Sequence, residues 1–275
     1  MNEGSYILVN GLFLPTAEYR FSLKESDVFL FSEKIRAVRS AFPFYRETLE
    51  MIKQKLVIFN QTFPELTEND GAELKRQMER TLTKNKQFLG AVLTIRFWIS
   101  DQKIQYSIQS AKREKSDYGL NDKGLYVTVF DTIRKSVSSL SNTSLGSELN
   151  WRIAGNYPKD IASDEFLLLN TDGQIIEAVG SNIYLIKGRM VKGASIYHGA
   201  YADITKSLML SVYNKLQLSY SEKDGITDQD MKEADEILLV NAIDGIRWVV
   251  GFEGKRYFNN MIRKINELFV SSLVS

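Results

Sequence analysis

The sequence predicts an α+β chain of two domains. Stretches of period-two alternation, rich in β-branched and aromatic residues, occur in both halves. Segments with apolar residues at helical spacing stand in blocks between them, which favours α+β layering. A charged stretch with two glycines and no apolar period, "KREKSDYGLNDKG" (112–124), separates the halves. The boundaries drawn are 1–113 for an N-terminal α+β domain, 114–124 for an interdomain linker and 125–275 for a C-terminal α+β domain. A long surface hairpin loop accounts for the same charged stretch equally well.

In the first half, "YILVNGLFLP" (6–15) reads as two strands around the turn pair Asn10-Gly11. "PFYRETLEMIKQKLVIF" (43–59) has helical spacing, with Pro43 suited to the first turn, and "GAELKRQMERTLTKNKQF" (71–88) is a second, more polar helix. "AVLTIRFWIS" (91–100) and "KIQYSIQSA" (103–111) form a hairpin across Asp101-Gln102. In the second half, "LYVTVFDTI" (125–133) is a strand, and "SVSSLSNTSLGSELN" (136–150) is a polar stretch without assigned structure. Strands follow at 165–170, 174–180 and 182–188, then an amphipathic helix at 203–218. Thr227 and Asp230 suggest a capping box before a short helix; strands at 236–243 and 246–252 and a helix at 259–269 close the chain.

Composition narrows the chemistry. The 275 residues are 44% hydrophobic and 25% charged, ordinary for a globular chain. A formal charge of +1 argues against a large electrostatic footprint for nucleic acid or acidic membranes. With no cysteine there is no disulfide, thiol nucleophile or cysteine zinc site, and the single histidine, His198, cannot alone build a histidine metal cluster. No run of 18 apolar residues occurs, and the start lacks a signal-like pattern, so a soluble cytoplasmic location is expected.

Two stretches stand out from this background. "IIEAVGSNIYLI" (175–186) carries a lone acid, Glu177, on the strand face shared with Ile175 and Val179. Such an acid is usually an edge residue or one whose face has been misjudged. "YHGAYADITKSLML" (197–210) offers Gly199 at a loop end, Asp203 suited to an N-cap and Thr205 in a first helical turn, where free N–H groups attract anions. An ordinary capped helix accounts for it too.

Taken with "DEFLLLNTDGQIIEAVGSNIYLIKGRMV", "GAYADITKSLML" and "EADEILLVNAIDGIRWV", these stretches resemble the C-terminal domain of the class IV aminotransferases. These are fold-type IV pyridoxal-phosphate enzymes, among them branched-chain and D-amino-acid aminotransferases and aminodeoxychorismate lyase. "VNGLFLP", "SEKIRAVRSAFPF" and "YVTVFDTIRKSVSSLSN" resemble earlier segments of the lyase-like branch, so the likeness touches most of the chain. The resemblance implies a two-domain D-amino-acid aminotransferase-like fold with a cleft between domains, and a homodimer whose partner loops complete that cleft. It implies that Glu177 bonds the pyridine nitrogen of pyridoxal phosphate, where a carboxylate keeps the electron sink protonated. It implies that Ser181 and Asn182 lie beside the ring, and that Ile204 and Thr205 hold the phosphate.

The pattern then breaks. The family's chemistry needs a lysine amine to condense with the cofactor's aldehyde. Counted back without gaps from Asn170, Ser144 stands at that position; a slipped register gives Ser147 and a third gives Arg152. None is lysine, and none lies between Lys135 and Lys159. Thr48 and Met51 stand where a histidine and a phosphate-gripping arginine are common, and a thioether lacks the guanidinium's paired donors. Asp203 replaces a glycine at the helix start, where its charge opposes a phosphate, and Ala242 replaces a frequent hydroxyl. Glu33 and Arg36 match a family pair, although ordinary ion pairing near a surface explains them as well.

The leading expectation is therefore a degenerate homologue without covalent catalysis, a pseudoenzyme binding a small anionic metabolite or a protein partner. The alternative is an active aminotransferase or 4-amino-4-deoxychorismate lyase using Lys159 or another lysine displaced in sequence. A third possibility is a structural subunit for an active paralogue. In the degenerate case Glu177 faces the cleft with little basic compensation, and burial raises its pKa.

Overall fold

The computed structural model describes residues 2–158, 163–222 and 225–274. Lys159, the displaced lysine proposed above, lies outside them. The chain divides into two units, Met1–Asp117 and Tyr118–Ser275.

The first unit is a five-stranded antiparallel sheet in the order β2-β1-β5-β4-β3 with three helices. Its elements are β1 (Asn2–Val9), β2 (Leu12–Pro15), β3 (Val28–Val38), α1 (Tyr45–Ile58), α2 (Pro64–Thr67), α3 (Ala72–Lys84), β4 (Gly90–Ser100) and β5 (Lys103–Lys112). Both anticipated hairpin turns form with positive φ at their two central residues: Asn10 and Gly11 at 46° and 84°, Asp101 and Gln102 at 51° and 62°. That twist matches the flanking strands. Pro43 lies outside the first turn of α1, because Phe44 takes the N-cap position.

Strand β3 carries the Glu33–Arg36 pair. Its alternation is interrupted by a register shift between Phe29 and Phe31, which hid it from the sequence pattern. Neither side chain is an ordinary surface ion. Glu33 pairs with the buried Lys55, and Arg36, 3% exposed, donates to the carbonyls of Lys115, Ser116 and Asp117.

The second unit is built on a nine-stranded mixed sheet. Its elements are β6 (Leu125–Lys135), α4 (Ser144–Asn156), β7 (Glu165–Asn170), β8 (Ile175–Ala178), β9 (Asn182–Lys187), β10 (Met190–Gly193), α5 (Lys206–Lys215), β11 (Ser219–Ser221), α6 (Asp228–Glu233), β12 (Glu236–Asn241), β13 (Gly245–Phe252), β14 (Lys255–Arg256) and α7 (Asn260–Val274). The order is β11-β10-β9-β12-β13-β6-β7-β8, with β14 on β13. Strands β8 and β9 stand apart in that order. A tight turn joins them, with paired backbone bonds between Ala178, which ends β8, and Ser181, which precedes β9, so the sheet curls until these two strands meet. All residues of β7 and β12 are buried, as their continuous apolar runs require. The capping box at Thr227 and Asp230 forms as read.

Two parts of this unit depart from the sequence reading. The stretch 118–124 packs on the second unit: Tyr118 donates to the Ala242 carbonyl, and Asn121 bonds the Trp248 backbone through both its amide atoms. The polar stretch 136–150 contains the start of α4. Its serines fold the approach to that helix, with the Ser138 N–H donating to Ser141 Oγ and that hydroxyl donating to the Ser136 carbonyl. Thr143 then caps the helix by accepting from the Gly146 N–H. Serine and threonine satisfy local backbone groups there, which makes a helix entry read as a loop. Among the described residues no helix is long and apolar enough to cross a membrane.

Candidate functional site

Glu177 is fully buried in the second unit, on β8 opposite Leu168 of β7. On the other side of β7, Lys135 ends β6 opposite Asn170. The lysine reaches over β7, and its Nζ stands 2.9 Å from Glu177 Oε2. Helix α4 supplies the rest of the cluster. Ser147 and Trp151 are four residues apart and share a helix face. Ser147 Oγ accepts from Lys135 Nζ at 2.7 Å, and Trp151 Nε1 donates to Glu177 Oε1 at 2.9 Å. The Tyr201 N–H donates to Glu177 Oε2 at 2.7 Å. Three donors from the chain thus converge on one carboxylate.

Burial raises the Glu177 pKa above the usual carboxylate value; Lys135 and the two N–H donors pull the other way. Burial likewise lowers the Lys135 pKa, and the carboxylate opposes that shift. The upward direction for Glu177 agrees with the sequence reading. The expected lack of basic compensation does not hold, because the Lys135 amine stands 2.9 Å from the carboxylate.

A second cluster follows Tyr201 directly, at the entry to α5. Asp203 Oδ1 accepts from the Thr205 N–H at 2.9 Å and from Thr205 Oγ1 at 2.5 Å. Helix α5 starts at Lys206 with Thr205 as N-cap, so Asp203 acts from upstream of the helix rather than as its cap. Asn182 joins the two clusters. Its Nδ2 donates to the Tyr201 carbonyl at 2.5 Å and its Oδ1 accepts from the Asp203 N–H at 3.2 Å. An unbroken path therefore runs Lys135, Glu177, Tyr201, Asn182, Asp203, Thr205.

The other anticipated residues divide. Ser181 Oγ accepts from Asn241 Nδ2 at 2.8 Å and from an Arg247 terminal nitrogen at 2.9 Å; Arg247 also pairs with Glu165 at 3.0 Å. Gly180, with φ at 65°, makes the tight turn that sets Ser181 and Asn182 at the start of β9. Ile204 is half-buried between Asp203 and Thr205. Of the three positions considered for the missing lysine, Ser147 is the one that touches Lys135. Ser144 opens α4, and Arg152 is an exposed partner of Glu148. His198 Nδ1 bonds Gln174 at 2.6 Å. Among the described residues no group of three acids or histidines is placed to hold a metal.

Sequence reasoning missed Lys135, Trp151 and Arg247. Plain alternation in "LYVTVFDTIRK" misplaces Lys135: it counts with Leu125, Val127 and Val129, whereas three looped residues put it on the other face, with Phe130, Leu168 and Glu177.

These groups do not fit pyridoxal phosphate as they stand. The carboxylate assigned to the ring nitrogen already accepts from Lys135, Trp151 and the Tyr201 N–H. The Thr205 donors assigned to the phosphate are directed at Asp203. A ring must stand between the acid that holds its nitrogen and an amine at the opposite carbon, and the Lys135–Glu177 contact leaves no room for one.

The chain matches aminotransferase folds over 93–98% of its length. It matches the branched-chain aminotransferase of Thermoproteus uzoniensis with norvaline at a TM-score of 0.79, with 20% identity and coverage of 98% of this chain and 95% of that one. It matches the branched-chain amino acid aminotransferase of Escherichia coli at 0.81, 15% identity, covering 98% and 95%. A putative 4-amino-4-deoxychorismate lyase from Legionella pneumophila gives 0.74, 18% identity, covering 93% and 97%. In sequence, it is 25% identical over 154 residues to a probable branched-chain-amino-acid aminotransferase of Aquifex aeolicus, 52% of this chain and 50% of that protein. It is 26% identical over 137 residues to a putative one of Methanocaldococcus jannaschii, 50% and 45%. The match spans about half the length of each of these relatives. The family model for amino-transferase class IV, a pyridoxal-phosphate-dependent family, matches residues 61–251. With a fold-type IV architecture and a family match across most of its length, the chain belongs to the class IV aminotransferases.

Proposed function

We propose that this chain is a class IV homologue without covalent pyridoxal-phosphate catalysis, and that its work is binding. The Lys135–Glu177 contact carries the reading. The amine nearest the family's acid neutralises that acid instead of standing across a ring from it. A small anionic metabolite and a protein partner are the two occupants considered. Asp203 at the α5 entry opposes an anion and so favours the partner. We further propose a cytoplasmic homodimer; sedimentation of the purified chain, alone and with any active paralogue, tests the assembly.

A second reading has one observation in its favour. Burial lowers the Lys135 pKa, which raises the share of free amine, the form that attacks an aldehyde. In that reading Lys135 leaves Glu177 and serves an aminotransferase or a 4-amino-4-deoxychorismate lyase. Purified protein with added pyridoxal phosphate separates the two. The binding reading expects no new visible absorbance band and no borohydride-fixed adduct by mass spectrometry. A band that borohydride removes, with the adduct mapped to Lys135, overturns it.

A further inference from the structure

We propose that the chain carries its own ligand: the Asp203 carboxylate fills an anion seat at the entry to α5 and the Lys135 ammonium fills a cation seat on Glu177. This rests on the non-catalytic reading above and goes beyond it, since it says what fills the site and what removal of the filler exposes. Both seats are dressed as a bound ligand would dress them. Asp203, 6% exposed, takes a backbone N–H and a hydroxyl from Thr205, itself fully buried. Lys135, 3% exposed, takes a carboxylate oxygen and the Ser147 hydroxyl. Tyr201 and Asn182 join the seats by consecutive hydrogen bonds, so the spacing between the two charges is fixed by the chain. A tethered pair competes at high effective concentration with any free ligand of the same charge pattern. The class of ligand excluded is one with a basic ring nitrogen at one end and a phosphate at the other.

Pyridoxamine 5′-phosphate is the probe. It has both groups but an amine in place of the aldehyde, so its binding does not depend on a lysine and is independent of the borohydride test. Calorimetry on the wild type, Asp203→Gly, Lys135→Met and the double variant reads the outcome. The wild type is expected to show no binding at millimolar probe. The double variant is expected to bind saturably, with Asp203→Gly alone bringing binding into the measurable range, because a like charge is removed from the seat, and the double variant binding about tenfold or more tighter than either single change. Saturable binding by the wild type as tight as by the double variant overturns the proposal. So does a double variant that keeps the wild-type circular dichroism and binds nothing. Should the double variant not fold, titrating inorganic phosphate into the labelled wild type decides: the Thr205 amide resonance is expected not to move, and a saturable shift sinks the idea.

Discussion

Lys135 Nζ lies 2.9 Å from Glu177 Oε2, and the two side chains are 2% and 0% exposed. A pair this deep is held by geometry and auxiliary hydrogen bonds as much as by its Coulomb attraction, since desolvation of both ions is costly. Removing one partner leaves the other charge uncompensated.

Lys135→Met is therefore expected to cost about 3–5 kcal/mol at neutral pH. The loss of the ammonium also lets burial raise the Glu177 pKa further than in the wild type. A raised carboxyl contributes stability that is fully present below its unfolded value and is lost as pH rises through its folded value. The deficit of the variant is thus smallest near about pH 4 and grows towards neutrality. Urea unfolding of both proteins across that range measures it, and a deficit independent of pH contradicts the account.

Trp151→Phe keeps an aromatic ring but removes the indole N–H from Glu177 Oε1. The expected loss is about 1–2 kcal/mol, the cost of an unmade hydrogen bond to a buried acceptor. The Glu177 pKa should move up with it, which carboxyl NMR of the labelled protein reads directly.

Asp203→Ala leaves the Thr205 N–H and hydroxyl without their shared acceptor in a buried place. A loss of about 1–3 kcal/mol is expected, and Asp203→Asn, which retains an acceptor oxygen, should recover part of it. Equal losses in the two variants would mean that the hydrogen bonds are not what Asp203 contributes.

Two glycines of α4 should respond in opposite directions. A Cβ on Gly146 would stand 2.3 Å from the Leu140 carbonyl oxygen, a backbone atom with little freedom to withdraw. Gly146→Ala is expected to cost about 1–3 kcal/mol and to disturb the near-ultraviolet signal of Trp151. A Cβ on Gly155 meets only Val179 at 3.7 Å, an ordinary contact. Gly155→Ala should be neutral or stabilising by about 0.4–1 kcal/mol, as thermal unfolding will show.

Most of the framework was legible because it follows periodicity. The hairpins at Asn10 and Asp101, the buried strands β7 and β12 and the Thr227 capping box each rest on a local pattern that tertiary packing did not override. What escaped was set by breaks in pattern or by contacts distant in sequence. Strand β3 was lost to its register shift, and α4 to serines that bond their own backbone. Glu177 was legible as an acid out of place. Its partner was not, because 42 residues separate it from Lys135 and the contact exists only once β6, β7 and β8 are laid side by side.

The pairing of β6 with β7 adds one consequence. Phe130 stands opposite Leu168 and Arg134 opposite Leu169, so three residues, 131–133, loop out of the ladder before Lys135. An odd number of looped residues reverses which side chains of the strand point inward. Loss of a single codon within that loop would turn the last residues of β6 over and carry the amine away from Glu177, with the pairing upstream intact. Whether the amine meets the acid is then within reach of one small deletion, a shorter evolutionary step than any replacement of the acid itself.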